Sequence, residues 1–220
     1  MKIPVVRNIL EVNDRVAEQN RALFDQNKVF VFNLMSSPGA GKTSLLERTI
    51  EHLKGKLRIG VIEGDITSSL DAERIAQKGV QTVQVNTDGA CHLDANMIRE
   101  AVSKIDLANL DLMVVENVGN LVCPSSFDLG ENIRVVVFST TEGTDKPIKY
   151  PSMFHKAEAV IINKIDLIPY TDFLLEEARN YVLQLNPKAK IFETSCTTGE
   201  GLGEWCEWLL SMMKKSNVIK

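Results

Sequence analysis

The 220-residue chain lacks several features that would each define a class of protein. Its four cysteines form no Cys-x-x-Cys pair, and cysteines scattered in this way are more typical of buried thiols or metal ligands than of disulfides. No apolar run approaches the roughly 20 residues of a membrane helix. The net charge of −4 leaves no broad basic face for nucleic-acid phosphates. The residues after Met1-Lys2-Ile3-Pro4 do not form the apolar core of a signal peptide. We therefore expect a cytoplasmic protein that binds neither membrane nor nucleic acid.

Short apolar runs alternate with segments of helical spacing along most of the chain. The predicted strands are residues 29–34, 57–62, 80–85, 112–115, 133–138, 159–162 and 190–192. The predicted helices are residues 43–53, 70–78, 97–105, 173–185 and 202–213. This alternation favours an α/β fold of three layers, with a mostly parallel sheet and helices on both faces. We predict one domain over residues 1–220, with an N-terminal helical extension over about residues 1–27.

A glycine-rich loop follows the first predicted strand. Residues 36–43 read Ser-Ser-Pro-Gly-Ala-Gly-Lys-Thr and precede a predicted helix, which is the context of a P-loop and of the P-loop NTPase fold. Small residues let backbone N–H groups converge on phosphate oxygens, Lys42 would reach the β- and γ-phosphates, and Thr43 would bind Mg²⁺. Ser36 replaces the first glycine of the motif, which requires a negative φ there. The alternative is a plain glycine-rich turn. The predicted nucleotide-binding residues of this loop are Gly39, Ala40, Gly41, Lys42, Thr43 and Ser44.

A second motif indicates the base. Residues 163–166 read Asn-Lys-Ile-Asp after an apolar run and match the N-K-x-D pattern of GTPases. As a carboxylate, Asp166 only accepts hydrogen bonds, and guanine presents two adjacent donors where adenine presents none. The stem of Lys164 would pack along the base, and Asn163 would tie neighbouring loops together. Ser195 and Cys196, after another predicted strand, resemble the last GTPase loop, whose backbone contacts the base oxygen. We therefore predict GTP as the nucleotide.

Two acidic segments end predicted strands. Residues 63–65 read Glu-Gly-Asp, and residues 116–119 read Glu-Asn-Val-Gly, in the place of the D-x-x-G loop of GTPases. Ligands of open α/β sheets lie beyond the carboxyl ends of the strands. We therefore predict Asp65 and Glu116, with Thr43, as the Mg²⁺ residues, and Lys42, Asp65 and Glu116 as the catalytic residues. Gly119 would donate its N–H to the γ-phosphate. The alternative for Asp65 is a helix cap, since Thr67 and Ser68 follow.

These motifs, taken in order with Cys91-His92 and with the stretch Glu-Asn-Val-Gly-Asn-Leu-Val-Cys-Pro at residues 116–124, closely resemble the HypB family of hydrogenase nickel-incorporation GTPases. The resemblance implies a role in nickel delivery during [NiFe]-hydrogenase maturation. It implies a metal site of Cys91, His92 and Cys123, and a homodimer in the GTP state with the metal at or near the dimer contact. The partners it implies are hydrogenase maturation proteins or the hydrogenase large subunit.

Thiolate and imidazole ligands suit both Ni²⁺ and Zn²⁺, so the sequence does not separate these metals. Because Cys91 and His92 are adjacent, we expect that they do not readily close with Cys123 on one compact site within a chain, and that ligands are shared across a two-fold axis. Some members of the HypB family carry an N-terminal cysteine motif for tight metal binding, and others carry a histidine-rich tract. Residues 1–6 hold no Cys or His, which favours transient transfer, or dependence on a partner that holds the nickel, over tight storage. His52 and His155, the latter predicted in a loop, are not assigned to metal.

Two other functions remain open. A related metal-chaperone GTPase for urease or cobalamin enzymes is the first, although Cys123-Pro124-Ser125 breaks the Cys-Pro-His arrangement of the urease relatives. A GTP switch protein without a metal role is the second, and in that case Cys91 and Cys123 would be core thiols.

The substitution Asp166→Asn tests the base assignment. We expect weaker GTP binding and a shift of preference towards xanthosine triphosphate, because xanthine carries a carbonyl where guanine carries its amine, and an amide donates to a carbonyl. Competition binding of the two nucleotides measures the shift. An unchanged preference for GTP in the variant would rule out Asp166 as the base-reading residue.

Overall fold

The computed structural model describes residues 5–66 and 70–219, and side chains from residue 10 onwards. Its sheet has the strand order β3-β2-β4-β1-β5-β6-β7, and every neighbouring pair is parallel. The strands are β1 Phe30–Ser36, β2 Ile59–Asp65, β3 Gln81–Asn86, β4 Leu112–Glu116, β5 Ile133–Ser139, β6 Ala159–Asn163 and β7 Lys190–Thr194. The prediction of a mostly parallel α/β sheet is therefore confirmed.

The helices are α1 Val5–Asn27, α2 Lys42–Leu53, α3 Leu70–Ala76, α4 Ala95–Val102, α5 Lys146–Lys149, α6 Pro151–His155, α7 Leu175–Leu185 and α8 Leu202–Lys215. Sequence reasoning missed α5 and α6, and His155, which we expected in a loop, is the last residue of α6. Helices of four and five residues are too short for an apolar period, and their only local signal is a proline in the first turn. None of the described helices combines the length and apolarity needed to cross a membrane.

The two faces of the sheet have separate cores. On one face, α2, α3 and α8 cover the sheet, and Trp205 packs between strands and helices with its indole Nε1 donating to Thr49 Oγ1 at 2.9 Å. On the other face, α1 and α4 cover one half of the sheet, and α6 and α7 cover the other half. The five central strands are almost entirely buried because helices cover both of their faces, as is usual in parallel sheets. The edge strands β3 and β7 are partly exposed and contain more polar residues.

Helix α1 packs beside α4 through polar contacts as well as apolar ones. Asn13 accepts a hydrogen bond from the Ala95 amide at 2.9 Å and donates to the Asp128 carbonyl oxygen at 2.8 Å. Asn20, 1% exposed, donates to the carbonyl oxygens of Ala95 at 2.8 Å and Leu129 at 3.2 Å. These side-chain amides fix α1 to the start of α4 and to residues 128–129.

Candidate nucleotide and metal sites

The predicted site residues gather at the carboxyl edge of the sheet. The P-loop follows β1, and Asp65 and Glu116 end β2 and β4. Asn163 ends β6, and Ser195 follows β7 directly. Ser36 is the last residue of β1 and has no positive φ, so its Cβ is accommodated as the motif requires. A parallel sheet brings all these strand ends to one side, which places residues from distant parts of the chain in one cleft.

The P-loop and the N-K-x-D loop are joined directly. Asn163 Nδ2 donates to the Ala40 carbonyl oxygen at 3.0 Å, and Lys164 Nζ donates to the Gly39 carbonyl oxygen at 2.7 Å. A Cβ built on Gly41, whose φ is +96°, would overlap Asn163 Nδ2. Asn163 therefore ties neighbouring loops together, as predicted, and Gly41 leaves the space that this contact needs.

The loop after β7 is held by a residue that sequence reasoning missed. Arg48 Nε, on α2, donates to the Cys196 carbonyl oxygen at 2.9 Å, and Cys196 Sγ donates to Asn163 Oδ1 at 3.4 Å. Ser195 is fully buried. Asp166 lies half-buried in the 3₁₀ segment Ile165–Tyr170, at the start of that segment. No local motif connects Arg48 with Cys196, because the contact spans 148 positions of the chain.

Glu116 is the centre of the acidic group in the cleft. Its Oε1 accepts a hydrogen bond from Thr43 Oγ1 at 2.8 Å and lies 3.9 Å from Lys42 Nζ. Glu116 and Glu63 are 2% and 3% exposed, and in each carboxyl group Oε2 is buried without a hydrogen-bond partner. Buried polar atoms are nearly always paired, so two orphaned oxygens beside a threonine hydroxyl are a donor set that fits a hard cation such as Mg²⁺.

The two buried carboxyl groups both have a raised pKa. Burial, and then the neighbouring Glu116 carboxylate, raise the pKa of Glu63 to about 10. Burial also raises the pKa of Glu116, while the charge of Lys42 and the hydrogen bond from Thr43 lower it. Glu63 is therefore protonated at neutral pH.

Asp65 and Gly119 line the same cleft, whereas the predicted residues Ala40, Asn163, Asp166, Ser195 and Cys196 are not among its lining residues. Asp65 Oδ1 accepts a hydrogen bond from the Ile66 amide at 2.5 Å. The helix cap that we considered for Asp65 involves Thr67 and Ser68, which lie outside the described residues. Gly119 packs against the P-loop, with 3.2 Å between an ideal Cβ at this position and Pro38 Cα. The cleft has a volume of about 540 Å³, and its lining includes Gly39, Gly41, Lys42, Thr43, Ser44, Glu63, Asp65, Glu116, Gly119 and Lys164.

The predicted metal ligands lie together within a single chain. One ligand atom each of Cys91, His92 and Cys123 lies within 4.8 Å of the others, and Cys91 Sγ is 3.7 Å from His92 Nδ1. The expectation that Cys91 and His92 would not close with Cys123 was therefore wrong. The physical reason is that residues 91–92 lie in a bend between β3 and α4. Adjacent side chains point to opposite sides only in an extended strand.

The three ligands are supported by local contacts. Asn120 Oδ1 accepts hydrogen bonds from the amides of Val122 at 2.7 Å and Cys123 at 3.2 Å, which fixes the turn that carries Cys123. The His92 ring stacks on Phe127, with 3.8 Å between ring centroids and 24° between ring planes. Asn120 belongs to the motif quoted above, but no sequence signal pointed to Phe127.

The surroundings of the cluster favour the metal-binding form of His92 and disfavour that of Cys123. Burial lowers the pKa of His92, which favours the neutral imidazole that binds metals. A hydrogen bond with Cys91, followed by burial, raises the pKa of the Cys123 thiol. A metal that binds here must therefore displace a thiol proton, so its binding is favoured by higher pH.

The all-parallel sheet and the glycine-rich loop between β1 and α2 define a P-loop nucleotide-binding protein. The model of the CobW/HypB/UreG nucleotide-binding domain matches residues 30–193. The chain is 49% identical to the hydrogenase maturation factor HypB of Azotobacter vinelandii over 205 residues, which cover 93% of this chain and 68% of that protein. It is 38% identical to the probable HypB of Methanocaldococcus jannaschii over 213 residues, which cover 97% of this chain and 96% of that protein.

Among solved structures, HypB from Helicobacter pylori in complex with nickel superposes with a TM-score of 0.89 at 38% identity, covering 92% of this chain and 95% of that one. The chain therefore belongs to the HypB family of hydrogenase maturation factors.

The pair Gly41→Ala and Gly39→Ala tests the contact between the P-loop and Asn163. Both glycines have a positive φ, so alanine adds about 1–2 kcal/mol of backbone strain at either position. This strain lowers the equilibrium population of the native loop conformation by roughly five- to thirty-fold. Only at Gly41 would the new Cβ also overlap a side chain, whereas nothing lies within 4 Å of a Cβ at Gly39. We expect Gly41→Ala to weaken binding of a fluorescent GTP analogue more than Gly39→Ala does. Equal losses in the two variants would contradict this role of Gly41.

Proposed function

We propose that this protein is a cytoplasmic Mg²⁺-dependent GTPase that handles nickel for [NiFe]-hydrogenase maturation. The observation that carries the proposal is the position of residues 116–124. This segment begins with Glu116 in the nucleotide cleft and includes Cys123 in the metal cluster. The Helicobacter pylori relative is known in complex with nickel, which supports nickel as the cargo. Hydrogenase maturation proteins or the hydrogenase large subunit are the proposed partners.

The chemistry at the nucleotide follows from the residues in the cleft. Thr43 and Glu116 would hold Mg²⁺, with Asp65 bound through water, and the cation would neutralise charge that develops on the phosphates. Lys42 reaches over the β- and γ-phosphates and stabilises the same charge. The P-loop amides orient the phosphates, and the Gly119 amide binds the γ-phosphate. Asp65 orients the attacking water from the end of β2.

Guanine recognition uses the other end of the cleft. Asp166 accepts hydrogen bonds from the two guanine donors, and the stem of Lys164 packs along the base. The backbone amide of Cys196 would bind the base oxygen, whereas the Ser195 amide already donates to the Glu200 carbonyl oxygen at 3.1 Å. Arg48 holds this loop in place through the Cys196 carbonyl. This arrangement supports GTP over ATP, because a carboxylate facing adenine would lack its donors.

Cys91, His92 and Cys123 are the proposed ligands of the cargo metal, with Zn²⁺ as a competitor for Ni²⁺. Three ligands of one chain leave further coordination positions open for a water, an acceptor or a second subunit. Exposed apolar side chains lie beside both sites: Val122 next to Cys123, and Ile66 and Leu70 after Asp65, at 56%, 41% and 68% exposure. These side chains favour a homodimer in the GTP state that covers this surface.

The pair Thr43→Val and Thr49→Val tests Mg²⁺-dependent hydrolysis. The hydroxyl group of Thr43 faces Glu116, whereas that of Thr49, on the same helix, bonds to Leu45 and Trp205 in the core. Loss of a contact to a charged group costs about 1.5–3 kcal/mol, or roughly ten- to a hundred-fold in rate. We therefore expect Thr43→Val to slow Mg²⁺-stimulated phosphate release from GTP by this factor. A similar slowing in Thr49→Val would show that the effect arises from the helix and not from the site.

The metal site is tested by nickel and zinc titration of the wild type, Cys91→Ala and His92→Ala, without nucleotide, with GDP and with a non-hydrolysable GTP analogue. Loss of a ligand from a metal site should lower the affinity, and we expect at least about a ten-fold loss. His52→Ala, which removes an exposed histidine on α2, is the matched control and should bind metal like the wild type. Sedimentation of the same samples should show the dimer only with the GTP analogue. Equal metal stoichiometry and affinity in all variants would exclude this metal site and favour the alternative of a GTP switch protein without a metal role.

A further inference from the structure

Asn117 is a buried amide between the nucleotide cleft and the metal cluster. It is 1% exposed, and its Oδ1 accepts hydrogen bonds from the amides of Leu93 at 3.1 Å and Val118 at 3.0 Å. Leu93 directly follows His92. We propose that Asn117 is the positioning residue through which the nucleotide state of residues 117–119 sets the placement of Cys91 and His92, and hence the affinity for the metal. This inference rests on the proposed function.

Leu93 is held from two sides by the two acidic segments of the cleft. Its amide is bound by Asn117, and its side chain packs so closely on Gly64 that an ideal Cβ there would lie 2.7 Å from Leu93 Cδ1. Gly64 lies between Glu63 and Asp65. Leu93 is fully buried, and because protein interiors are close-packed it has no free space in which to move independently of these neighbours. A movement of either acidic segment is therefore passed to the residue that follows His92.

The side-chain amide of Asn117 is also connected to the segment that carries the third metal ligand, Cys123. Its Nδ2 donates to Asn33 Oδ1 at 3.2 Å, and Asn33 Nδ2 lies 3.5 Å from Glu131 Oε1. That oxygen accepts from Arg134 Nε at 2.7 Å. The guanidinium of Arg134 in turn donates to the carbonyl oxygens of Ser125 at 3.0 Å and Phe127 at 3.2 Å. A continuous and largely buried network thus runs from Leu93 to residues 125–127, which include the Phe127 ring stacked on His92.

The nucleotide end of the network lies in the cleft itself. Asn117, Val118 and Gly119 line the cavity, and Gly119 packs on Pro38 of the P-loop. When the γ-phosphate draws the Gly119 amide towards it, the peptide units before Gly119 rotate with it. Asn117 then keeps or loses its bond to Leu93 according to the phosphate that is bound. The Asn117 side chain therefore acts on both sites. Binding of the nucleotide and binding of the metal are then linked by a coupling free energy.

The test is nickel affinity of the full chain, read from the thiolate-to-nickel charge-transfer absorbance, with GDP and with a non-hydrolysable GTP analogue. In the wild type we expect the two affinities to differ by about five-fold or more, a usual size of allosteric coupling. In Asn117→Ala the ratio should fall to about one. In Asn117→Asp the acceptor oxygen is kept for Leu93 and Val118, so this variant should keep more of the ratio than Asn117→Ala.

Asn20→Ala is the matched control. It also removes a buried amide that bonds to backbone near the metal cluster, at Ala95 and Leu129, but it does not contact the nucleotide cleft. Its ratio should stay within about two-fold of the wild type, the scatter of independent sites. A general loss of stability would change the affinities of both variants without changing the ratio in either.

The outcomes separate the inference from the proposed function. A wild type that binds no nickel or no GTP analogue overturns both. A coupled wild type with the same ratio in Asn117→Ala overturns the inference alone, as does an uncoupled wild type that binds both ligands. If Asn117→Ala does not fold, Asn117→Asp decides, since a ratio of about one in that variant contradicts coupling through the acceptor oxygen.

Discussion

The parallel pairing of all neighbouring strands is the constraint on which the rest of the molecule depends. Because helices cover both faces of the five central strands, polar side chains within those strands are restricted to a few networks and to the strand ends. Because the strands run in one direction, their carboxyl ends meet at one edge. The P-loop, the two acidic segments and Lys164 of the N-K-x-D loop are thereby brought into one cleft, although they are far apart in the sequence.

The carboxyl edge is also where the fold accepts an unfavourable arrangement. Glu63 and Glu116 are buried side by side, and each retains one oxygen without a partner. Removing an ionised carboxylate from water costs several kcal/mol even after relaxation, and protonation of Glu63 relieves only part of the cost of burying the pair. A core built for stability alone would use apolar residues here. The pair is explained if the cleft is completed by a cation, which supplies the missing partners.

The sequence predicted what is local and missed what is distant. Strands β1 to β7 were predicted because each is a short apolar run, and the P-loop and the N-K-x-D loop because each motif is contiguous. The contact of Arg48 with Cys196 and the network from Leu93 to Arg134 join residues far apart in the chain. Hydrophobic periodicity and local motifs do not predict such contacts. The compact arrangement of Cys91 and His92 was missed because it depends on a bend whose backbone geometry their order does not define.

Residues 116–124 belong to both sites, and this has a thermodynamic consequence. If the nucleotide changes the affinity for the metal by some factor, the metal must change the affinity for that nucleotide by the same factor. In the proposed function, therefore, no one-way signal would run from hydrolysis to metal release at equilibrium. Direction would come only from the irreversible loss of the γ-phosphate, which would replace one bound state by another. A partner that binds the metal-loaded GTP form would bias the same balance, so delivery and hydrolysis would be linked through this single segment of nine residues.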